Sequence, residues 1–257
     1  MVCGKEQLKE MAEKILQEVS GITEEEILAG RRETVWGTTE GSYAQYMDHT
    51  VLKPETTKAT LKKFCDEAKE YQFASVCVNS GNISYVAEQL KGSGVKACAV
   101  VGFPLGAMST FGKVCESLEA VKCGASEIDM VIPVGRLKDQ DYEYVYQDMK
   151  QVIDACHPQA EVKVIIECSA LTDEEKVIAC LIAKAAGADF VKTSTGFGTG
   201  GATVKDVYLM KKTVGDACRV KASTGINDRE ICNKMLAAGA VRMGTSKGIR
   251  IVKGERQ

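Results

Sequence analysis

Histidine is nearly missing from this 257-residue chain, which has 2, and so is any excess of charge, since 33 Lys and Arg stand against 35 Asp and Glu. A formal net charge of -2 sets up no global field that would draw nucleic acid or an anionic membrane to the surface, so an anionic ligand must be held locally. His49 and His157 offer too few imidazoles for a histidine-built metal centre, and His157 stands just before Pro158 at the end of a helical stretch. No apolar run is long enough to span a bilayer. The leading MVCGKEQLKEMAEKI is charged throughout, without the apolar stretch of a secretory signal. The 11 cysteines include no C-x-x-C pair. Cys77, Cys98, Cys115, Cys168 and Cys180 lie inside apolar segments, which suits buried thiols in a reducing compartment. The expectation is a cytoplasmic protein with no metal, no nucleic-acid partner and no membrane partner.

What the chain has is regular alternation. With 45% hydrophobic and 26% charged residues it can bury one large core. After about residue 45, short β-rich runs alternate with stretches of helical periodicity. The runs are 46–50, 73–78, 95–101, 126–131, 161–167, 189–193, 218–222 and 240–243, eight in all. Between them apolar residues recur at three- and four-residue spacing, as in Leu61/Phe64/Cys65/Ala68 and Phe111/Val114/Cys115/Leu118/Val121. Thr172 followed by Glu175 reads as a capping box, and Gly187 and Gly239 stand where helices should end. Eight such units predict an α/β fold, a single (β/α)8 TIM barrel over 45–257. Residues 1–44 fall outside the alternation and read as a short helical extension. Its apolar stripe is Leu8/Met11/Ile15/Val19 and its second helix is capped by Thr23 with Glu26, so it would pad the barrel floor or edge or serve a subunit contact.

Polar residues inside a barrel are costly unless they serve a purpose. In the fourth, fifth and seventh runs Glu127 and Asp129, Lys163 and Glu167, and Arg219 and Lys221 alternate with apolar residues, and this polar parity is expected to face the interior. Lys192 and Lys221 end adjacent strands. Burial and a like-charged neighbour would lower the pKa of each and leave an amine able to attack a carbonyl. Position alone equally allows both lysines to be ion-pair partners of Asp129, Glu127 or Glu167. Loops rich in glycine and hydroxyls follow three successive strands: 193–201, then Ser223-Thr224-Gly225, then Gly244-Thr245-Ser246-Lys247. Loops after the last two strands are the recurrent phosphate site of this architecture.

The strings DHTVLKPE (48–55), FASVCVN (73–79), VVGFPLGA (100–107), EIDMVIPVG (127–135), KVIIEC (163–168), ADFVKTSTGF (188–197) and VKASTGI (220–226) closely resemble the deoxyribose-phosphate aldolase family. The resemblance runs from about residue 44 to the end. It implies a metal-independent, cofactor-free class I aldolase, cleaving 2-deoxy-D-ribose 5-phosphate reversibly into D-glyceraldehyde 3-phosphate and acetaldehyde in deoxynucleoside catabolism. It assigns the Schiff base to Lys192, a supporting role to Lys221 and acid/base catalysis to Asp129. Asp48, Thr50 and Cys77 carry over as site-lining residues, and Thr195, Gly196, Ser223, Gly225, Gly244 and Ser246 as substrate and phosphate contacts, with Lys247 a further candidate. His49, by alternation, faces away from Asp48 and is read as structural. Many relatives have two glycines where this chain has Thr224-Gly225, so the phosphate loop there is narrower. A homodimer is expected by analogy. The rival readings are a Schiff-base aldolase of another sugar phosphate and a non-catalytic sugar-phosphate-binding barrel; retention of Lys192, Lys221 and Asp129 argues against the second.

Overall fold

In the computed structural model, residues 4–29 and 43–255 are described. Eight parallel strands close on themselves: β1 (Met47–Val51), β2 (Ser75–Asn79), β3 (Lys96–Val101), β4 (Glu127–Val131), β5 (Glu161–Ile165), β6 (Phe190–Lys192), β7 (Arg219–Ser223) and β8 (Arg242–Thr245). They run in sequence order round the barrel, and β8 pairs with β1. This is the (β/α)8 barrel that the alternation predicts, with strand ends shifted by up to two residues. Around it lie α3 (Lys58–Tyr71), α4 (Ile83–Leu90), α5 (Thr110–Lys122), α6 (Val134–Lys138), α7 (Tyr142–Cys156), α8 (Asp173–Ala186), α9 (Val204–Val214), α10 (Arg229–Ala238) and α11 (Gly248–Lys253). Thr172 and Glu175 close the capping box of α8, and Gly187 and Gly239 end α8 and α10 in the left-handed conformation.

The main core fills the layer between sheet and helices, with Val76, Ile128, Val162, Val191 and Val220 pointing outward from the strands. A smaller apolar group, Leu52, Cys77, Cys98 and Val100, is separate from it and occupies the barrel interior. His49 belongs to the outer layer. Its ring stacks on Phe64 at 4.2 Å and its Nε2 meets Glu67 at 2.8 Å, so the structural reading of this residue holds.

Two stripes differ from expectation. In α5 the face turned inward is Lys113, Ser117 and Ala120, while Phe111 is 77% exposed and Leu118 and Cys115 also face outward. The reason is a buried ion pair: Lys113 Nζ donates to Asp148 of α7 at 2.6 Å and to the Val131 carbonyl at 2.9 Å, which fixes the rotation of α5 against its apolar pattern. At the other end of the chain, α1 (Lys5–Val19) and α2 (Glu24–Ala29) form the expected helices, and Thr23 and Glu26 cap each other. The buried residues of α1 are Leu8 and Ala12, with Met11 42% exposed. This helix lies against α8 and α9, and α2 against α9 and α10, on the flank of the barrel rather than its floor.

Candidate active site

The interior of the barrel is a network of charge. Asp129, fully buried on β4, accepts at Oδ2 from Lys192 Nζ (2.8 Å) and Lys221 Nζ (2.7 Å), and at Oδ1 from Lys163 Nζ (2.8 Å). The two lysines from β6 and β7 are register partners, which is why one carboxylate oxygen can serve both. Lys221 Nζ also lies 2.5 Å from Asp48 Oδ2. Below them Asp48 takes hydrogen bonds from Ser75 (2.6 Å) and from Arg242, and Glu127 accepts from Arg242 Nη2 (2.6 Å) and Lys163 (2.6 Å). Each buried charge therefore has partners of opposite sign.

These partners decide the protonation states. Burial alone would raise the Asp129 carboxyl, but the ammonium groups of Lys163, Lys192 and Lys221 outweigh it and hold the group well below the usual carboxylate range. Asp48 is likewise lowered, against burial, by Lys221, Arg242 and Lys163. For Lys221 the expectation of a lowered pKa is overturned. Burial does push it down, but Asp129 and Asp48 together raise it above the ordinary lysine value. The adjacent acids, which lie on other strands, outweigh the like charge that adjacency in sequence pattern suggested. Lys192 and Lys221 are both ion-paired to Asp129, the pairing that position alone allowed.

Above this network a cavity of about 580 Å³ opens at the C-terminal ends of the strands. Lys192, 2% exposed, reaches its floor, and the loops after β6, β7 and β8 form its wall. Of the residues predicted to touch substrate, Thr50, Thr195, Gly196, Ser223, Gly225, Gly244 and Ser246 line this cavity. Asp48 and Cys77 lie deeper, in the interior network, and Lys247 instead stands at the N-cap of α11. The Ser223 hydroxyl is buried with no hydrogen-bond partner, an open donor facing the cavity. Gly244 has a steric reason to lack a side chain: a Cβ there would meet Ser223 Oγ and come within 3.2 Å of Lys221 Cε. Thr224 is held at φ 72, a left-handed conformation rare for a β-branched residue, and its Oγ1 stands 3.0 Å from where a Cβ on Gly196 would be.

Thr195 is more constrained than its motif suggests. Its backbone N–H donates to Glu167 Oε2 at 3.1 Å, its hydroxyl donates to the same oxygen, and that hydroxyl accepts from Phe197 N–H at 3.1 Å. Glu167 was expected on the fifth strand, but β5 ends at Ile165, and Glu167 follows it at φ 57 as an anchor for the 193–201 loop. Arg219, also expected inside, is exposed beyond the barrel floor and pairs with Glu161 at 2.5 Å. Lys163, Glu127 and Arg242 were not singled out as site residues; the strand alternation already carried the first two. Lys53 and Asn227, which line the cavity, had no distinctive signal. A second cavity, of about 690 Å³, lies between α1–α2 and α9, remote from this chemistry.

Residues 42–254 match the model of the DeoC/LacD family aldolases. The chain is 55% identical over 212 residues to the deoxyribose-phosphate aldolase of Clostridium perfringens strain 13, covering 82% of this chain and 95% of the relative. It is 55% identical over 208 residues to that of Enterococcus faecalis, covering 81% and 94%. The structure of the deoxyribose phosphate aldolase from Aeropyrum pernix, described as a unique tetramer, superposes with a TM-score of 0.82 at 28% identity, covering 90% of this chain and 97% of that one. Fold, interior lysines and overall likeness agree, and the chain belongs to the DeoC/LacD family of aldolases.

Proposed function

We propose that this chain is a deoxyribose-phosphate aldolase, a class I lyase that cleaves 2-deoxy-D-ribose 5-phosphate reversibly to D-glyceraldehyde 3-phosphate and acetaldehyde through an imine on Lys192. The observation that carries the reading is the placement of the Lys192 amine at the floor of the cavity, sharing one oxygen of Asp129 with Lys221. Lys192 attacks the aldehyde carbon and water leaves. The protonated imine then accepts the electron pair released when the bond between C2 and C3 breaks. Breaking it requires a proton to leave the C3 hydroxyl, and closing the cycle requires one at the enamine carbon and a water that hydrolyses the resulting imine to free acetaldehyde and the Lys192 amine. Asp129 is the carboxylate within reach of Lys192, and Lys221 is its proton-bearing neighbour. Thr50, Thr195, Gly196, Ser223, Gly225, Gly244 and Ser246 are assigned to holding the rest of the substrate, with the phosphate toward the loops after β7 and β8. Asp48 keeps Lys221 in place, and Cys77 borders the site. Because Thr195 is already bound to Glu167, its contribution is the shape of the loop more than a free hydroxyl.

Catalysis on this reading uses no metal and no cofactor, and the protein works in the cytoplasm in the breakdown of deoxynucleosides. Among the described residues no helix is long and apolar enough to cross a membrane. The division into an extension over 1–44 and a barrel over 45–257 is supported by helices α1 and α2 lying outside the β/α repeat. The outward apolar face of α5, with Phe111 and Leu118 exposed, supports a homodimer.

The test is turnover of 2-deoxy-D-ribose 5-phosphate, read as glyceraldehyde 3-phosphate formed, beside a panel of keto and aldo sugar phosphates. Cleavage of the deoxy sugar above the others is expected. Preferred cleavage of another sugar phosphate, or binding without turnover, would overturn the assignment.

A further inference from the structure

Two thiols in the barrel interior have no part in the chemistry above. Cys77 on β2 and Cys98 on β3 are register partners, both point inward, and both are fully buried. Cys98 Sγ lies 3.2 Å from Asp129 Oδ1 and Cys77 Sγ 4.0 Å from Asp129 Oδ2. Ligand atoms of all three lie within 4.8 Å of one another. A tetrahedral zinc-type ion, with metal–sulfur bonds near 2.3 Å and metal–oxygen bonds near 2.0 Å, separates its ligand atoms by roughly 3.5 to 3.8 Å. The separations of 3.2 Å to one carboxylate oxygen and 4.0 Å to the other lie within about half an ångström of that range, so small side-chain rotations bring both sulfurs and one oxygen onto a common ion.

We propose that Cys77, Cys98 and Asp129 form a site for a soft divalent cation of the zinc, cadmium or cobalt class, and that filling it inhibits the enzyme. Two sulfurs and one carboxylate select such ions over magnesium or calcium, which take oxygen ligands. Entry requires Lys163 Nζ, now 3.4 Å from Cys98 Sγ and 2.8 Å from Asp129 Oδ1, to turn away, but it does not add net charge. Each thiol loses its proton to solvent as its sulfur bonds the metal, so one dication replaces two protons and the net charge of the interior is unchanged. Access follows the substrate's route, because the Lys192 amine that a carbonyl must reach is 2.8 Å from Asp129 Oδ2. Inhibition follows from the shared ligand. A carboxylate oxygen bound to the metal gives up the lone pairs now held by the lysine ammonium groups and can no longer carry protons for the reaction. Three protein ligands leave the fourth position to water.

Cobalt(II) is the probe, added to the full-length reduced protein. One equivalent is expected to give sulfur-to-cobalt charge-transfer absorption, to release two protons, and to abolish cleavage in parallel, with chelation by EDTA restoring activity. Magnesium is expected to do none of these. The Cys98→Ser variant should lose the absorption, while Cys115→Ser, altered at an exposed thiol, should keep it. Absorption that survives both Cys77→Ser and Cys98→Ser, or saturation without inhibition, overturns the proposal. Should the serine variants fail to show the wild-type circular dichroism, X-ray absorption of the wild-type zinc complex decides. Two sulfur neighbours support the site; none, or more than two, refutes it. The binding arm is independent of the aldolase reading, whereas the inhibition arm rests on it. An enzyme inactive before any metal is added would therefore count against that reading and not against the site.

Discussion

Replacing Asp129 by asparagine keeps the shape of the side chain and removes its charge, and it should separate the two halves of the reaction. In the native site Asp129 Oδ2 is 2.8 Å from Lys192 and 2.7 Å from Lys221, and the proposed mechanism has it move protons during carbon–carbon cleavage. A positioned acid/base contributes about 10²- to 10⁴-fold. At about 1.4 kcal/mol per decade that corresponds to roughly 3 to 6 kcal/mol of barrier, and a fall in kcat of that roughly 10²- to 10⁴-fold size is expected for Asp129→Asn. Imine formation should behave differently. Without the carboxylate, Lys192 stands beside the Lys221 ammonium with no anionic partner of its own, an arrangement that favours the free amine. The rate of borohydride trapping with acetaldehyde at neutral pH should therefore hold or rise. Turnover, trapping and thermal melting are measured on the same preparation. Cleavage within threefold of wild type would refute the role of Asp129, and so would equal loss of trapping and cleavage in a protein that still melts cooperatively.

Other substitutions test the walls of the site. Gly244→Ala places a methyl group 3.2 Å from Lys221 Cε and against Ser223, and a misplacement of this kind should lower kcat/KM at least about tenfold, or about 1.4 kcal/mol, in a steady-state assay. An unaffected value would mean that the packing around Lys221 is not critical. Thr224→Gly relieves a β-branched residue at φ 72 and should stabilise the fold by up to about 1 kcal/mol in urea titrations; destabilisation would show that the threonine contributes more than its strain costs. Glu161, whose ordinary value is 4.5, would be raised by burial, but hydrogen bonds from Lys96 and Arg219 bring it down to about 2. A lowered carboxylate stabilises the fold above the unfolded value and ceases to do so as pH falls toward the folded one. Glu161→Gln should thus flatten the stability curve between about pH 4.5 and 2, by less than about 1 kcal/mol for a pair this close to solvent. An unchanged acid limb would refute the pairing.

The barrel was legible because its period is carried by many residues at once; Asp129 and Lys221 were legible because polar residues alternate with apolar ones along strands that must be buried, and Lys192 because it ends a strand inside the string ADFVKTSTGF. What sequence could not supply was the environment across strands. The lysine pair looks from sequence like two repelling charges, yet Asp48 from β1 and Asp129 from β4 reverse the effect on Lys221. Helix α5 reads as an apolar stripe turned inward, yet Asp148, 35 residues further along the chain, draws Lys113 inward and turns Phe111 out. Thr195 reads as a phosphate contact, and the carboxylate that occupies it comes from Glu167, a residue whose left-handed backbone no pattern announces. In each case the deciding partner is remote in sequence, and its pairing depends on register and rotation that a single chain's periodicity does not fix.

Whether Lys192 is the nucleophile is read out by borohydride reduction in the presence of acetaldehyde or 2-deoxy-D-ribose 5-phosphate, followed by peptide mass mapping. A single reduced adduct on Lys192 is expected, with Lys163 and Lys221 unmodified. An adduct on Lys221 alone would reverse the roles of the two lysines. A protein that binds the sugar phosphate yet carries no adduct would contradict the aldolase mechanism itself.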